Sequence, residues 1–355
     1  MKILITGACA VSARSVARSL RKSEIFGDSE IVGWDMGRAL YAFYEGIFDR
    51  IYKVPPVSSP DYRVWAQKIL AKEKPDLAIV VPEPEVLHWS QNPFEGVRCL
   101  LPPPKFCELA ISKDKLFRLL DGEGLVPKTR NITPAEALRP DFKPPLAFPA
   151  WIRDCAAGTA SGEGSLKVCS LEELKAWVWL NPKVEKFQLS EYLSGGNFGC
   201  MCLFKNGRLV KLCAAERIEY VMSKVSVSGV TGNTSVGRLL NDERVKQTAL
   251  RAIDAVCSHT GEAMNGLVVV DMKADGSGRP YVTEINIRHV AFSSSFASAG
   301  FNMSEYQALL ALDRDGEAPP ETEKTFPEGN LILRDIDGLP IYVESHADLN
   351  IGDCM

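Results

Sequence analysis

Residues 266–288 constrain the fold of this chain more than any other stretch, because they predict two paired strands that carry an unusual set of polar side chains. The run 267–270 is apolar and rich in valine, residues 275–278 are typical of a turn, and residues 281–287 alternate between polar and apolar. Two such runs on either side of a turn favour a β-hairpin. The hairpin would therefore hold its polar side chains in a fixed arrangement.

Three polar side chains of this hairpin are predicted to meet on one face. Asp271 is expected to end the first strand, and Glu284 and Asn286 are two residues apart on the second, so they point the same way. Two carboxylates and an amide oxygen form the hard oxygen set that Mg²⁺ prefers. Arg288 lies two residues beyond Asn286, so its side chain is expected on the same face. It would hold a phosphate or a substrate carboxylate beside the oxygen set. Taken alone, the stretch is also compatible with an ordinary hairpin whose polar face meets solvent.

Size and charge exclude several classes of function. With 355 residues the chain is expected to form two or three lobes, and a net charge of −4 argues against nucleic acid or an anionic membrane as its main partner. The ten cysteines lack repeated C-x-x-C spacing, so reduced, buried cysteines in a cytoplasmic protein are expected. No signal peptide and no membrane span is predicted, because the first residues lead directly into a strand and no apolar run is long enough.

The first hundred residues predict a doubly wound parallel sheet. Residues 2–6 and 31–35 favour strands on either side of a helix, and residues 61–82 favour a further helix and strand. A dinucleotide fingerprint needs three glycines after the first strand, and this stretch has Gly7 alone, so an NAD-dependent oxidoreductase is disfavoured. The proline-rich segment 100–104 marks the end of this unit.

A glycine-rich segment follows a predicted strand in the middle of the chain. The strand ends near Arg153, and residues 154–165 carry Gly158, Gly162 and Gly164 before the sheet resumes. Small residues of this kind expose backbone N–H groups that would close over phosphates, and a simple flexible hairpin is the alternative. A predicted helix before this segment carries Lys115 in its first turn. On its own, this lysine is equally typical of a helix face exposed to solvent.

In combination these features resemble the ATP-grasp superfamily of ligases. The resemblance covers roughly residues 1–315 and rests on the order of its motifs, which are Asp114-Lys115, Arg153, the glycine-rich segment, Glu191-Tyr192-Leu193 with two glycines after it, and Asp271…Glu284-x-Asn286. The interval between Asp271 and Glu284 resembles D-alanine:D-alanine ligases. Arg153 and the residues after Glu284 are more similar to the large subunit of carbamoyl phosphate synthetase.

The resemblance implies a mixed α/β and α+β architecture, in which an N-terminal doubly wound parallel-sheet domain precedes a two-lobed ATP-grasp fold. The implied boundaries are residues 1–105 for the first domain, 106–190 for the N-terminal ATP-grasp lobe with its glycine-rich loop, and 191–355 for the C-terminal lobe. The last of these would hold the metal site and a short C-terminal extension.

The resemblance also implies roles for individual residues. The implied ligands of Mg²⁺, or of Mn²⁺ in its place, are Asp271, Glu284 and Asn286. Arg217 and Arg288 are the implied catalytic cations and, with His289 and Phe292, the candidates for the acceptor pocket, although His289 could equally be structural. The implied ATP contacts are Lys115, Arg153, Gly158, Gly162, Gly164, Glu191, Tyr192, Leu193 and Asn197, of which Asn197 stands where the family usually has a glutamate for the ribose hydroxyls.

The activity that the resemblance implies is ATP-dependent ligation of a carboxylate to an amine. The carboxylate of an amino acid or a similar small acid would be activated as an acyl phosphate, with release of ADP and phosphate. The expected partners are small-molecule acids and amines, and a homodimer is allowed. A carbamoyl-phosphate-synthetase-like kinase or ligase and a non-catalytic nucleotide-binding protein are the alternatives, the second supported by Asn197.

Overall fold

The computed structural model describes residues 1–37, 40–155, 165–224, 226–229, 232–335 and 350–354 of the chain. Gly158, Gly162 and Gly164, which were predicted to close over phosphates, lie outside the described residues. Within those ranges, no helix is both long enough and apolar enough to cross a membrane.

A four-stranded parallel sheet in the order β3-β2-β1-β4 opens the chain. Ile3 and Ile5 belong to one apolar cluster and Leu4 and Val32 to another, so both faces of this sheet are buried, as a parallel sheet requires. The predicted doubly wound architecture is confirmed. Its elements are β1 (Lys2–Thr6), α1 (Val11–Arg21), β2 (Glu30–Asp35), α2 (Leu40–Phe43), β3 (Arg50–Lys53), α3 (Tyr62–Glu73), β4 (Leu77–Ile79) and α4 (Glu83–Gln91).

An antiparallel sheet in the order β5-β8-β6-β7 follows, with helices before and between its strands. Ser170 caps α8 by accepting a hydrogen bond of 3.2 Å from the backbone N–H of Glu173, whereas Ser112, which precedes α6, makes no such bond. The elements are α5 (Pro104–Ala110), α6 (Lys113–Gly122), β5 (Thr129–Ile132), α7 (Pro134–Ala137), β6 (Ala150–Asp154), β7 (Leu166–Val168), α8 (Leu171–Leu180) and β8 (Phe187–Glu191).

A six-stranded antiparallel sheet in the order β13-β12-β9-β10-β11-β14 forms the last part of the chain. Asn206 and Gly207 join β9 to β10 with φ values of 52° and 79°, the left-handed pair that a tight hairpin turn needs. The elements are β9 (Asn197–Lys205), β10 (Arg208–Tyr220), β11 (Thr234–Leu240), α9 (Glu243–Thr260), β12 (Gly266–Ala274), β13 (Pro280–Asn286), α10 (Ser293–Ser298), α11 (Met303–Ala311), a 3₁₀ helix (Asp315–Glu317) and β14 (Ile332–Leu333).

Two strand boundaries differ from the sequence-based prediction. Asp271 does not end its strand, because β12 continues to Ala274 beside β9. Residues 209–215 predict a strand that ends before Arg217, but β10 runs on to Tyr220 and includes Arg217. In both cases pairing with neighbouring strands extends the element past its apolar run, and this tertiary contribution is not visible in the local sequence.

Glu85 is an ionisable side chain in the core of the first sheet. It lies on α4 with 7% of its surface exposed, and both of its carboxylate oxygens lie 3.3 Å from Trp34 Nε1, which donates to them. Burial raises the pKa of Glu85 to about 7, and hydrogen bonds from Thr6, Trp34 and Tyr62 offset this only in part. The folded protein therefore keeps this proton at a pH where the unfolded chain has lost it.

We expect this proton to make the free energy of unfolding fall as the pH rises from 4.5 to about 7, because the folded state binds more protons across that interval. The loss amounts to at most about 3 kcal/mol. Glu85→Gln keeps an acceptor for Trp34 and cannot titrate, so it should lack this part of the pH dependence. Urea unfolding of both proteins at about pH 5 and about pH 8 measures the difference, and an identical pH dependence would contradict the assignment.

Candidate functional site

One face of the six-stranded sheet changes from apolar core to polar surface along its strands. Met201 on β9, Ala215 on β10 and Val269 on β12 belong to the apolar cluster that also contains residues of α10 and α11. Side chains two residues further along a strand point to the same face. That face continues beyond the core with polar residues, which are Asn197 on β9, Arg217 on β10, Asp271 and Lys273 on β12, and Glu284 and Asn286 on β13.

A cavity of about 480 Å³ lies over these polar residues. This volume is within the range of small-molecule sites. All six of the polar residues line it, together with residues of α1, α4, α6, β6 and the segment after β8. The cavity is thus lined by two helices that flank the parallel sheet and by strands of both antiparallel sheets.

The structure brings the three predicted metal ligands together. Asn286 Nδ2 lies 3.3 Å from Asp271 Oδ2 and 3.4 Å from Glu284 Oε1, and Asp271 is the direct cross-strand partner of Glu284. Asp271 and Asn286 are buried, with 7% and 6% of their surface exposed. Two carboxylates held this close in a buried site repel each other unless a proton or a cation lies between them.

Arg217 supplies one of the cations at this site. Its guanidinium donates to Asp271 Oδ1 in an ion pair that spans the intervening strand β9. Gly199 is the residue of β9 between them, and a Cβ atom there would lie 3.3 Å from both Arg217 Nη2 and Asp271 Oδ1. Glycine therefore leaves the room through which the two side chains meet, a contact that the sequence-based prediction did not include.

Arg153 is a second cation of this site, partly buried where two sheets approach each other. Its Nε and Nη2 donate to Gln188 Oε1 at 2.8 and 2.5 Å, and its guanidinium reaches the carbonyl oxygen of Thr283 at 3.4 Å. The guanidinium also lies 5.0 Å from the centre of the Phe117 ring. Since Thr283 precedes Glu284 on β13, Arg153 lies beside the carboxylate pair.

Lys115, a predicted ATP contact, does not line the cavity, whereas Lys113 does. Lys115 is exposed, whereas Lys113 and Phe117 face the cavity one helical turn apart on α6. A residue two positions away on a helix points about 200° away, so Lys113 and Lys115 cannot share a face. Burial and the nearby Arg153 lower the pKa of Lys113, while the carboxylates of Glu284, Asp154 and Glu83 oppose this.

The carboxylates and cations of the cavity perturb one another's pKa values. Burial raises the pKa of Asp271 to about 6, with Arg217 lowering it and Glu284 raising it further. Burial also acts to raise the pKa of Glu284, but its hydrogen bond with Asp271 and the cations Lys113, Arg153 and Arg217 outweigh burial and lower it. The carboxyl groups therefore titrate as a pair, in which Glu284 loses its proton at a lower pH than Asp271.

The donor set fits a hard divalent cation. Within the described ranges no three His, Cys, Asp or Glu side chains cluster as metal ligands, so a site here depends on the amide oxygen of Asn286 as its third donor. Asn286 now presents Nδ2 to both carboxylates, and a half-turn of the amide would present Oδ1 to the same point. Carboxylate and amide oxygens are what Mg²⁺ and Mn²⁺ take, with water and phosphate completing the shell.

A carboxylate and a guanidinium face each other in the wall of the cavity. Glu83, in the first turn of α4, lies 3.6 Å from Arg288 at its nearest oxygen, and both side chains line the cavity. Burial raises the pKa of Glu83, with Arg288 opposing and Glu284 reinforcing the shift. Glu83 follows the carboxyl end of a strand in the parallel sheet, which is where such sheets place ligands. That position was the signal for Glu83 that the sequence-based prediction missed.

The segment 191–196, called the hinge here, holds three of the predicted ATP contacts, and Asn197 follows it. Glu191, Tyr192, Leu193 and Asn197 all line the cavity. The hinge is fastened to β12, because Gly195 N donates to Ala274 O at 2.8 Å and Ala274 N donates to Gly196 O at 2.9 Å. These bonds fix the wall of the cavity against the strand that carries Asp271.

Two candidates for the acceptor pocket lie elsewhere. His289 has 1% of its surface exposed, its Nδ1 lies 3.0 Å from Ser293 Oγ, and its Nε2 lies 2.7 Å from Gln307 Oε1. Burial lowers the pKa of His289 to about 4, so it is a neutral structural histidine. Phe292 packs in the apolar cluster under α10 and α11. His289 and Phe292 lie in the core because the chain turns back into it after Arg288.

No family model matches this sequence, and no curated protein matches it. Solved structures do. An L-amino acid ligase from Bacillus licheniformis matches with a TM-score of 0.61 and 15% identity over 90% of this chain and 77% of that chain. A structure described as an ATP-grasp superfamily protein from Archaeoglobus fulgidus matches with a TM-score of 0.55 and 18% identity over 87% of this chain and 88% of that chain. This chain has the ATP-grasp fold.

A third ATP-grasp match is a D-alanine–D-alanine ligase from Bacillus anthracis complexed with ATP, with a TM-score of 0.55 and 15% identity over 90% of this chain and all (100%) of that chain. The predicted domain order, in which a parallel-sheet domain precedes an ATP-grasp fold, is therefore confirmed. At these identities the likeness establishes the fold, and the activity of this ATP-grasp chain is argued from its own cavity.

Proposed function

We propose that this protein is an ATP-dependent carboxylate–amine ligase. The observation that carries the proposal is the convergence of Asp271, Glu284 and Asn286 with three partly buried cations in one cavity of an ATP-grasp fold. Cations and oxygen ligands side by side are what phosphoryl transfer needs, because its catalysis consists almost wholly of positioning and charge neutralisation. The hinge end of the cavity would take the nucleoside.

In this proposal Lys113 and Arg153 hold the phosphate oxygens of ATP, and Arg217 keeps Asp271 in place. A divalent cation held by Asp271, Glu284 and Asn286 would offset the negative charge of the terminal phosphates. The guanidinium of Arg153 is held from two sides by Gln188 and Thr283, so it would meet the phosphate without a large rearrangement. Glycines 158, 162 and 164 remain predicted contacts that would keep water from the phosphates.

The reaction proceeds in two displacements. An oxygen of the substrate carboxylate attacks the γ-phosphorus of ATP, the bond from that phosphorus to the bridging oxygen breaks, and ADP leaves with the electron pair. The amine nitrogen then attacks the acyl carbon, phosphate leaves, and the nitrogen loses a proton to form the amide. Arg288 would orient the carboxylate for the first displacement.

Glu83 and Arg288 support an α-amino acid as the acid substrate. A half-buried carboxylate opposite a half-buried guanidinium is complementary to a zwitterion, whose ammonium would bind Glu83 while its carboxylate binds Arg288. A simple fatty or keto acid would leave Glu83 without a cationic group on the substrate. This complementarity favours amino acids over other small acids.

The test is phosphate release from Mg²⁺ and ATP in the presence of pairwise combinations of amino acids, other small acids and amines. We expect ADP and phosphate in equal amounts, formed only when a matching acid is present, together with a product that has lost one water. Binding of ATP without acid-dependent release across the panel would favour the non-catalytic alternative. Binding of NADH instead of ATP would overturn the proposal.

Lys113 and Lys115 offer a matched pair of variants on one helix. We expect Lys113→Met to reduce ATP turnover by about 10- to 100-fold, because it removes a buried charge from the phosphate site. Lys115→Met should retain turnover within a factor of about two, because Lys115 is exposed outside the cavity. Steady-state kinetics of the two variants decide the point, and the reverse order of effects would restore the sequence-based choice of Lys115.

A further inference from the structure

A second, smaller cavity lies beside the main one and shares a wall with it. Its volume is about 170 Å³, and α6, β5, β8 and the segment between α6 and β5 line it. Phe117 lines both cavities, and Gln188, which binds Arg153 of the main cavity, lines the smaller one. One water requires only about 10–15 Å³ of such space. The smaller cavity therefore has room for a molecule larger than water.

Two amide side chains leave one donor and one acceptor at this cavity. Arg153 has only donors, so the oxygen of Gln188 faces it and Nε2 is directed away. Asn131, the cross-strand neighbour of Gln188, donates from Nδ2 to Asp114 Oδ1 at 2.6 Å. Among the described residues, neither Asn131 Oδ1, which is a buried atom, nor Gln188 Nε2 has a hydrogen-bond partner. Because Gln188 has only 1% of its surface exposed, a ligand that binds both atoms would gain affinity from them.

Two charged residues at the same cavity lack an ion pair. Asp121 and Arg130 line the cavity, and neither forms an ion pair with another described residue. Asp114 and Arg118, by contrast, pair with each other at 2.8 Å. One unpaired charge of each sign, beside one unpaired acceptor and one unpaired donor, is complementary to a small zwitterion. An anion or a cation alone would satisfy only half of these groups.

We propose that the smaller cavity is a second binding site of this protein and takes a small α-amino acid with an apolar side chain. The ammonium would donate to Asn131 Oδ1, and the carboxylate would accept from Gln188 Nε2. The unpaired carboxylate and guanidinium of the cavity would add to these two contacts. Phe117 and Val126, which are buried apolar residues of the lining, would contact the side chain of the ligand. Neither the nucleotide nor the acid substrate of the proposed function occupies this site.

Occupation of this site would reach the main cavity through Arg153. The Gln188 oxygen accepts from Arg153 at 2.8 and 2.5 Å, and the centre of the Phe117 ring lies 5.0 Å from its guanidinium. A carboxylate at Nε2 would hold the Gln188 amide in the orientation that Arg153 requires, and hydrogen bonds in series strengthen one another. The bound amino acid should therefore tighten ATP binding, and ATP should tighten amino-acid binding by the same factor. This coupling rests on the proposed function, whereas the binding site does not.

The experiment is calorimetric titration of the full-length protein with glycine, alanine and valine in turn. The titrations use Arg288→Met, which removes the guanidinium proposed to bind an amino acid in the main cavity, and at least one of the three should still bind. Adding Asn131→Leu, which removes the unpaired acceptor at similar size, should weaken that binding about 10-fold or more, the value of a hydrogen bond to a charged group. Adding Arg130→Met instead, a change at an exposed position that does not endanger folding, should weaken it about 2- to 5-fold.

The matched control adds Lys143→Met, an exposed lysine between α7 and β6, and should leave the affinity unchanged. The thermal unfolding midpoint of each variant checks that it is folded. With Mg²⁺ and ATP present, the affinity for the amino acid should rise about 5-fold or more, and an unchanged affinity would disprove the coupling to Arg153.

Two results would overturn the site itself. Amino-acid binding that disappears in Arg288→Met, or that Asn131→Leu and Arg130→Met leave unchanged, would place the ligand in the main cavity. Absence of amino-acid binding in every one of these proteins would show that the smaller cavity holds water only. The proposed function is decided separately, because a failure of acid-dependent phosphate release with Asn131-dependent binding retained would overturn that function and leave the second site in place.

Discussion

Glu284→Gln should lower ATP turnover by about 10²- to 10³-fold while the protein stays folded. Removal of one preorganised electrostatic group from a reaction centre costs about this much. Glu284 is the member of the carboxylate pair whose pKa is lowered, because its hydrogen bond with Asp271 and the cations Lys113, Arg153 and Arg217 outweigh burial. Glutamine has the same shape but no charge, so the loss should fall on phosphoryl transfer, with nucleotide contacts at the hinge intact.

Two measurements separate this effect from general damage. Glu219→Gln changes an exposed glutamate on β10 in the same sheet and should retain turnover within a factor of about two. Metal affinity, followed by Mn²⁺ binding with ATP present, should fall in Glu284→Gln by about 10-fold or more. Full turnover and full Mn²⁺ affinity in Glu284→Gln would remove the carboxylate pair from the site and with it the basis of the proposed function.

The sequence predicted the hairpin and its polar face because both depend on local patterns. Alternation places Glu284 and Asn286 on one face whatever strand lies beside them. The pairing of Asp271 with Glu284 is different, since the register shifts just after Asp271, where the β12–β13 ladder is irregular. A shift of one residue would turn Asp271 to the other face, and only the packed sheet decides between the two.

Contacts between distant elements account for what the sequence could not predict. Arg217 meets Asp271 only because β9 lies between their strands with Gly199 at the crossing point. Glu83 comes from the first sheet, and the phase of α6 that selects Lys113 over Lys115 is set by the packing of Leu116 and Leu120 into the core. The sequence could have indicated Lys273 as a cavity residue, because it lies two residues beyond Asp271 on the same face of the strand.

The cavity floor follows from one physical feature of the six-stranded sheet. Along β9, β10 and β12 the same face is apolar where α10 and α11 cover it and polar where they do not. The apolar part supplies the burial that holds the strands in register, and the polar part extends from that rigid base. Charged groups on such a base lose little freedom when a ligand binds, which favours preorganised catalysis.

Arg153→Met should reduce turnover at least about 10³-fold, the scale expected when a cation that stabilises a transferring phosphoryl group is lost. Arg153→Lys keeps the charge but cannot reach Gln188 and Thr283 together, so we expect an intermediate loss of about 10- to 100-fold. Arg208→Met, an exposed arginine on β10, is the control and should have little effect. Because Arg153 joins strands of two sheets, its loss will also lower stability, so turnover is compared at a temperature where all variants are folded. Turnover of Arg153→Met close to the wild-type value, or equal losses in Arg153→Lys and Arg153→Met, would show that its charge does not act on the phosphate and that Arg153 only joins the two sheets.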